Sequence, residues 1–171
     1  METSLPLHPM IVHIPLALSV ILPLLTGVIA LCWWRGWLAR RTWLIAAVLH
    51  AVMTFSALVA MQTGEGEEER VERVLSHDHI EEHEEAAERF LWASVAALLL
   101  ALGAAVSESE RKALALAGAT VCAAFVAGAL ALEAGEEGGE LVYRYGAGKA
   151  YTDPLPPESD TDGAHDEGHH D

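Results

Sequence analysis

Apolar residues fall into four long blocks along this chain, at positions 10–34, 42–63, 90–107 and 113–132. Each block runs for 18 to 25 residues without one Lys, Arg, Asp or Glu. At about 1.5 Å of rise per residue, roughly 20 helical residues cross the hydrocarbon core of a bilayer. Only helices and closed barrels satisfy their backbone hydrogen bonds there, and blocks of this length and composition are helical. The pattern predicts an all-α fold, a membrane four-helix bundle. Residues 1–150 form the membrane domain, with an acidic outer helical loop between the second and third spans. Residues 151–171 form an acidic, His-rich tail whose Pro, Gly and Asp content predicts disorder.

Two shorter stretches complete the pattern. After the fourth block, GEEGGELVYRYGAG brackets a β-prone segment with glycines and predicts a tight turn followed by a brief extended piece. The opening METSLPLH lacks a basic region and no small-residue cleavage site follows the first block, so that block is expected to stay as an anchor.

Composition follows location. Hydrophobic residues make up 52% of the chain, a modest figure because acidic connections dilute the spans. Cys32 and Cys122 both fall inside apolar blocks, where they read as small buried hydrophobes. Three arginines and no acid occupy residues 35–41, and Arg111 and Lys112 sit in the other short connection. The positive-inside rule assigns both to the cytoplasm. That side carries five basic and two acidic residues, net +3, and the other five basic and 23 acidic, net −18. Both termini are then outside, periplasmic if the membrane is a bacterial inner membrane. Trp33, Trp34, Trp37 and Trp43 form an interfacial belt at the opposite face. An outer face this negative excludes nucleic acid and anionic lipid as its partners. It suits metal cations or a basic protein domain, or simply keeps the loops soluble.

Eight of the nine histidines lie outside or at the outer boundary. His8 and His13 flank the start of the first span in LHPMIVHIP. Pro15 cannot donate to the carbonyl of Ile11 and leaves that acceptor free. Five residues apart, the two histidines share a site only if His8 sits in a non-helical lead-in. In SHDHIEEHEEAAERF, His79 and His83 are spaced i, i+4 on one helix face with Glu82 beside them, a workable bidentate metal pair and also a pattern common on solvated faces. His13 and His83 share a depth, so two helices can present imidazoles to one another, as bundles holding haem or metal ions do. His50 lies about 10 Å into the second span from the cytoplasmic face. It reads as an inner haem ligand, a proton relay, or a neutral imidazole bonded to a backbone carbonyl. Arg144 can pair with neighbouring glutamates or with a haem propionate. In the tail, His165, His169 and His170 among aspartates are either a loose metal-collecting arm or inert.

The opening LHPMIVHIPLAL, the HEEAAERF entry to the third span and GGELVYRYGAG after the fourth resemble a bacterial family of predicted membrane proteins, domain of unknown function 2231. The resemblance covers about residues 7 to 148. The family's HP-x-x-VH-x-P opening is matched by His8, Pro9, Val12, His13 and Pro15, whereas its closing motif carries a His where this chain has Tyr145. It implies a four-span bundle, and members that occur beside or fused to redox modules point to electron transfer.

Three functions are compatible with these features. The first is a membrane redox protein holding b-type haem, or a copper, zinc or iron ion, between His13 and His83, with His8 and His79 as further ligands and a redox protein as partner. The second is a non-enzymatic module that captures metal or senses acid with the same histidines. The third is a structural subunit packing its small-residue faces against larger membrane partners. No nucleophile motif, phosphate loop or zincin pattern supports catalysis, and the absence of charged residues from the spans weakens a proton-coupled transporter reading.

Overall fold

The computed structural model describes residues 6–152. Four long helices account for most of them: α2 (His13–Trp34), α3 (Trp43–Glu72), α4 (His77–Val106) and α5 (Glu110–Tyr143), with a short α1 (His8–Ile11) before them and α6 (Lys149–Thr152) after. They alternate up and down, and each packs on its neighbours in a closed ring, α2 on α3, α3 on α4, α4 on α5 and α5 on α2. All four are long and apolar enough to cross a membrane. The chain is an integral membrane protein.

The packing is the reverse of a water-soluble bundle. Large apolar side chains such as Ile21, Leu24, Phe55, Leu99 and Phe125 face outward, where lipid tails solvate them. The interior is built from Ala46, Ala57, Ala97, Ala101, Ala117, Ala124 and Ala127, with Ser19, Thr26, Ser94 and Thr120 buried among them. Hydrocarbon offers no hydrophobic drive for helix association, so close backbone approach and dispersion supply it, and small residues permit that approach. The buried hydroxyls are satisfied within their own helices: Ser19 donates to the carbonyl of Leu16 at 2.8 Å and Thr120 to that of Leu116 at 2.9 Å.

One contact shows how far this goes. Pro23 sits inside α2 and has no N–H to give the carbonyl of Ser19, four residues back. Gly128 of α5 packs against that freed oxygen so closely that a Cβ on it would lie 2.9 Å away. The proline opens the acceptor and the glycine fills the place beside it, an arrangement suited to a weak Cα–H···O contact.

The two ends of the bundle differ. At the arginine end the connections are tight. Gly36, at φ 72°, closes α2: the N–H of Trp37 reaches the carbonyl of Cys32 at 2.8 Å and that of Gly36 reaches Trp33 at 2.9 Å. Arg40 then turns its guanidinium onto the last turn of α4, donating to the carbonyls of Ala104 (3.2 Å), Ala105 (3.1 Å) and Ser107. The side chains of Trp33 and Trp43 donate to Glu110 and to the carbonyl of Ala101, both at 2.9 Å.

At the histidine end α3, α4 and α5 run several turns beyond their apolar blocks, so the expected acidic loop is a helical hairpin turning at residues 73–76. The extended piece expected around LVYRY is corrected here: α5 continues through Gly138 and Gly139 to Tyr143. A glycine costs a helix only about 1 kcal/mol against alanine, which packing readily overrides. The chain turns instead at Gly146, at φ 84°. Tyr151 and Thr152, expected to belong to the tail, are part of α6. The histidines of the tail lie outside the described residues.

Candidate metal centre

Pro15 has no N–H for the carbonyl of Ile11, yet Val12, between α1 and α2, keeps helical backbone angles (φ −58°, ψ −22°), so His8 and His13 sit on one nearly continuous helix. Five residues apart, they point about 140° from one another. His13 is exposed on the outside of the bundle, while the His8 ring turns inward over α3. Its Nδ1 lies 2.8 Å from the carbonyl of Ala60. A carbonyl only accepts, so Nδ1 carries a proton, and in a neutral ring Nε2 keeps the lone pair.

His83, from α4, meets His8 edge to face, with ring centroids 6.1 Å apart and planes at 83°. The partner expected for His83 was His13; the structure puts His8 there, because five residues of helical backbone turn His13 about 140° away from His8. Each ring rests on a glycine of a neighbouring helix. A Cβ on Gly64 of α3 would lie 3.2 Å from the His8 ring, and one on Gly138 of α5 would lie 3.0 Å from Cε1 of His83. One turn further out, His79 stacks on Tyr145, centroids 3.8 Å apart and planes within 15°. Tyr145 thus supplies the second face of this layer.

The Nδ1 atoms of His79 and His83 are both buried without a hydrogen-bond partner. Glu82 comes within 3.8 Å of His79 Nδ1, too far for a hydrogen bond. Buried ring nitrogens are normally satisfied, so two orphans one helical turn apart require an explanation. Imidazoles sharing an ion at about 2.1 Å per bond place their centroids about 5–6.5 Å apart, which includes the His8–His83 spacing.

Glu67 ties this end together. Its carboxylate accepts from the backbone N–H groups of Leu7 (2.7 Å) and His8 (3.2 Å), the free donors at the start of α1, and from the hydroxyl of Tyr151 (2.8 Å) in α6. Burial and then the Glu67 carboxylate push the Tyr151 hydroxyl well above its usual range, so it remains a donor. Arg70 lies over the Tyr151 ring at 5.2 Å. Glu67→Ala is expected to release α1 and α6 together. Loss of about 1.4 kcal/mol of hydrogen bonding accelerates amide exchange about tenfold at Leu7 and His8, and exchange unchanged from wild type would refute this role.

Other candidates lie apart from the His8–His83 pair. Arg144 is exposed and pairs with Glu140 at 2.8 Å. His50 is fully buried inside the bundle, its Nδ1 2.9 Å from the carbonyl of Ala46 and its Nε2 without a partner. Glu68, Glu72 and His77, at the α3–α4 turn, bring three ligand atoms within 4.8 Å of one another on the exposed surface. Sequence reasoning reached His8, His79 and His83 but not Glu67, Gly64, Gly138 or Tyr145. Two glycines inside otherwise helical segments were the signal available for the ring seats.

No curated protein and no solved structure matches the chain. A family model described as "Predicted membrane protein (DUF2231)" matches residues 4–151. The four apolar helices, the paired histidines of the opening and third-span motifs, and this match agree: the chain belongs to the DUF2231 family of membrane proteins.

Proposed function

We propose that the protein is a membrane-anchored metal-binding module that captures a divalent transition metal ion, copper, zinc or iron, at its histidine end. In this reading the histidine end and both termini face the periplasm from a bacterial inner membrane. The observation that carries it is the pair of buried, unpartnered Nδ1 atoms of His79 and His83, one turn apart on α4, with the His8 ring 6.1 Å from that of His83. Neutral imidazoles at i, i+4 chelate borderline metals well, and His8, edge to face with His83, would have to move inward from its own helix to add a third nitrogen. The acidic helical hairpin raises the local concentration of cations around the site. Zinc makes this capture alone; copper or iron adds one-electron chemistry toward a redox partner. Haem between His13 and His83 is the weaker reading, since His13 is exposed and glycine backbone packs against the ring of His83.

The test is metal titration of the full chain in detergent, with His165, His169 and His170 changed to Ala and no histidine tag. One equivalent of Zn²⁺ or Cu²⁺ is expected to bind, and His79→Ala or His83→Ala to weaken it by about 10- to 100-fold, with His13→Ala neutral. Equal retention in His83→Ala overturns the assignment. Loss in His77→Ala instead moves the site to the α3–α4 turn. A Soret band in the purified protein restores the haem reading.

A further inference from the structure

At the arginine end, a groove runs between α2 and α5 on the outside of the bundle. Leu31 and Trp34 form one wall, Leu114 and Ala115 the other, and Arg111 stands at its rim. Its floor is Gly118, where a Cβ would meet nothing within 4 Å, so the groove is open down to the backbone of α5. Gly118 lies seven residues from Arg111, about 10 Å along the helix, which is within one leaflet. The groove is therefore apolar along its length and cationic only at its mouth.

A second cation stands against one wall residue: Arg35 lies over the ring of Trp34 at 5.2 Å and over that of Trp37 at 5.9 Å, and Trp34 is 64% exposed. The neighbouring acid is engaged elsewhere, since Glu110 accepts from Trp33. Arg111 forms no ion pair among the described residues. One guanidinium on the rim and a second against the wall residue Trp34 thus give this end of an apolar groove its positive charge, in a protein surrounded by lipid.

We infer that this groove binds one anionic phospholipid, its acyl chain along Gly118 and its phosphate between Arg111 and Arg35. Guanidinium is suited to phosphate because its planar fork donates two parallel hydrogen bonds, and basic pockets between spans select anionic head groups. A zwitterionic phosphatidylethanolamine brings an ammonium group that the two arginines repel. The groove on the other side of the bundle, at Arg40, Arg41, Leu44 and Val106, is less suited, because Arg40 is spent on the carbonyls of α4 and Glu108 lines it too.

Native mass spectrometry of the full chain in mild detergent tests this, with phosphatidylglycerol and phosphatidylethanolamine of identical acyl chains as probes. One phosphatidylglycerol is expected to bind about tenfold more tightly than phosphatidylethanolamine. The double variant Arg35→Gln/Arg111→Gln should reduce that ratio to about one. Gly118→Leu should fill the slot and weaken both lipids, with thermal unfolding in detergent reporting that the bundle is intact, and Gly118→Ala serves if it is not. Equal binding of the two lipids by the wild type overturns the proposal. So does a preference that survives the double arginine variant, which would leave only a general lipid annulus.

Discussion

Gly128→Leu is expected to prevent the bundle from closing. Even the first side-chain carbon would stand 2.9 Å from the carbonyl oxygen of Ser19, and that oxygen is backbone that no rotamer change can move. α2 and α5 would have to separate along their whole contact, which also exposes the small buried faces at Leu22 and Ala127. Overpacking a tight core costs about 1–3 kcal/mol, and a leucine against rigid backbone belongs at or above the top of that range. Gly128→Ala is the graded version. Its clash is offset by roughly 1 kcal/mol of better helix propensity, so a net loss of about 1–2 kcal/mol is expected. Gly118→Ala supplies the control, because its methyl group meets nothing and only the propensity gain remains. Unfolding in mixed micelles measures all three. A Gly128→Leu protein as stable as wild type would mean that α2 and α5 do not cross at this point.

Arg40→Ala is expected to loosen the opposite end by about 3 kcal/mol. One guanidinium there satisfies the carbonyls of Ala104, Ala105 and Ser107, acceptors that the end of α4 leaves without intrahelical partners. Charged hydrogen bonds contribute about 1.5–3 kcal/mol each, discounted here because water reaches this boundary and replaces part of the loss. The positive charge also opposes the negative end of the α4 dipole. Arg40→Lys should recover the charge but not the fork, and so fall between the two. Faster exchange at residues 101–107 of α4 in Arg40→Ala, with α2 unaffected, is the expected signature. Uniform exchange across the bundle would show that Arg40 acts globally rather than as a cap.

The sequence patterning made the spans legible because crossing hydrocarbon demands about 20 uncharged residues, and four such blocks have no other reading. It did not show how far α3, α4 and α5 continue past the blocks, because hydropathy is blind to a helix that leaves the lipid and stays helical among glutamates. LVYRY looked extended on propensity alone, and Gly138 looked like a breaker; in the fold Gly138 is where the ring of His83 rests. The histidines were found by type, but their pairing was not. The five-residue spacing already sets His8 and His13 about 140° apart on a helix, but which of the two faces inward depends on how that helix is rotated against α3 and α4, which spacing alone does not fix. The Pro23–Gly128 match was equally hidden, since neither residue signals anything until the two helices are brought together.

Two of these glycine contacts have a consequence for motion. Gly138 faces His83 and Gly128 faces Ser19, so α5 is fitted to α4 at the histidine end and to α2 deeper in the bundle. If α5 slid by one turn, about 5.4 Å, Ala134 or Val142 would take the place of Gly138 and Ala124 or Leu132 that of Gly128. Every one of these replacements brings a Cβ into space that holds an imidazole or a carbonyl. Piston movement of α5 is thereby blocked at two depths. What happens at the histidines must reach the arginines through tilting or bending of helices held in fixed axial register.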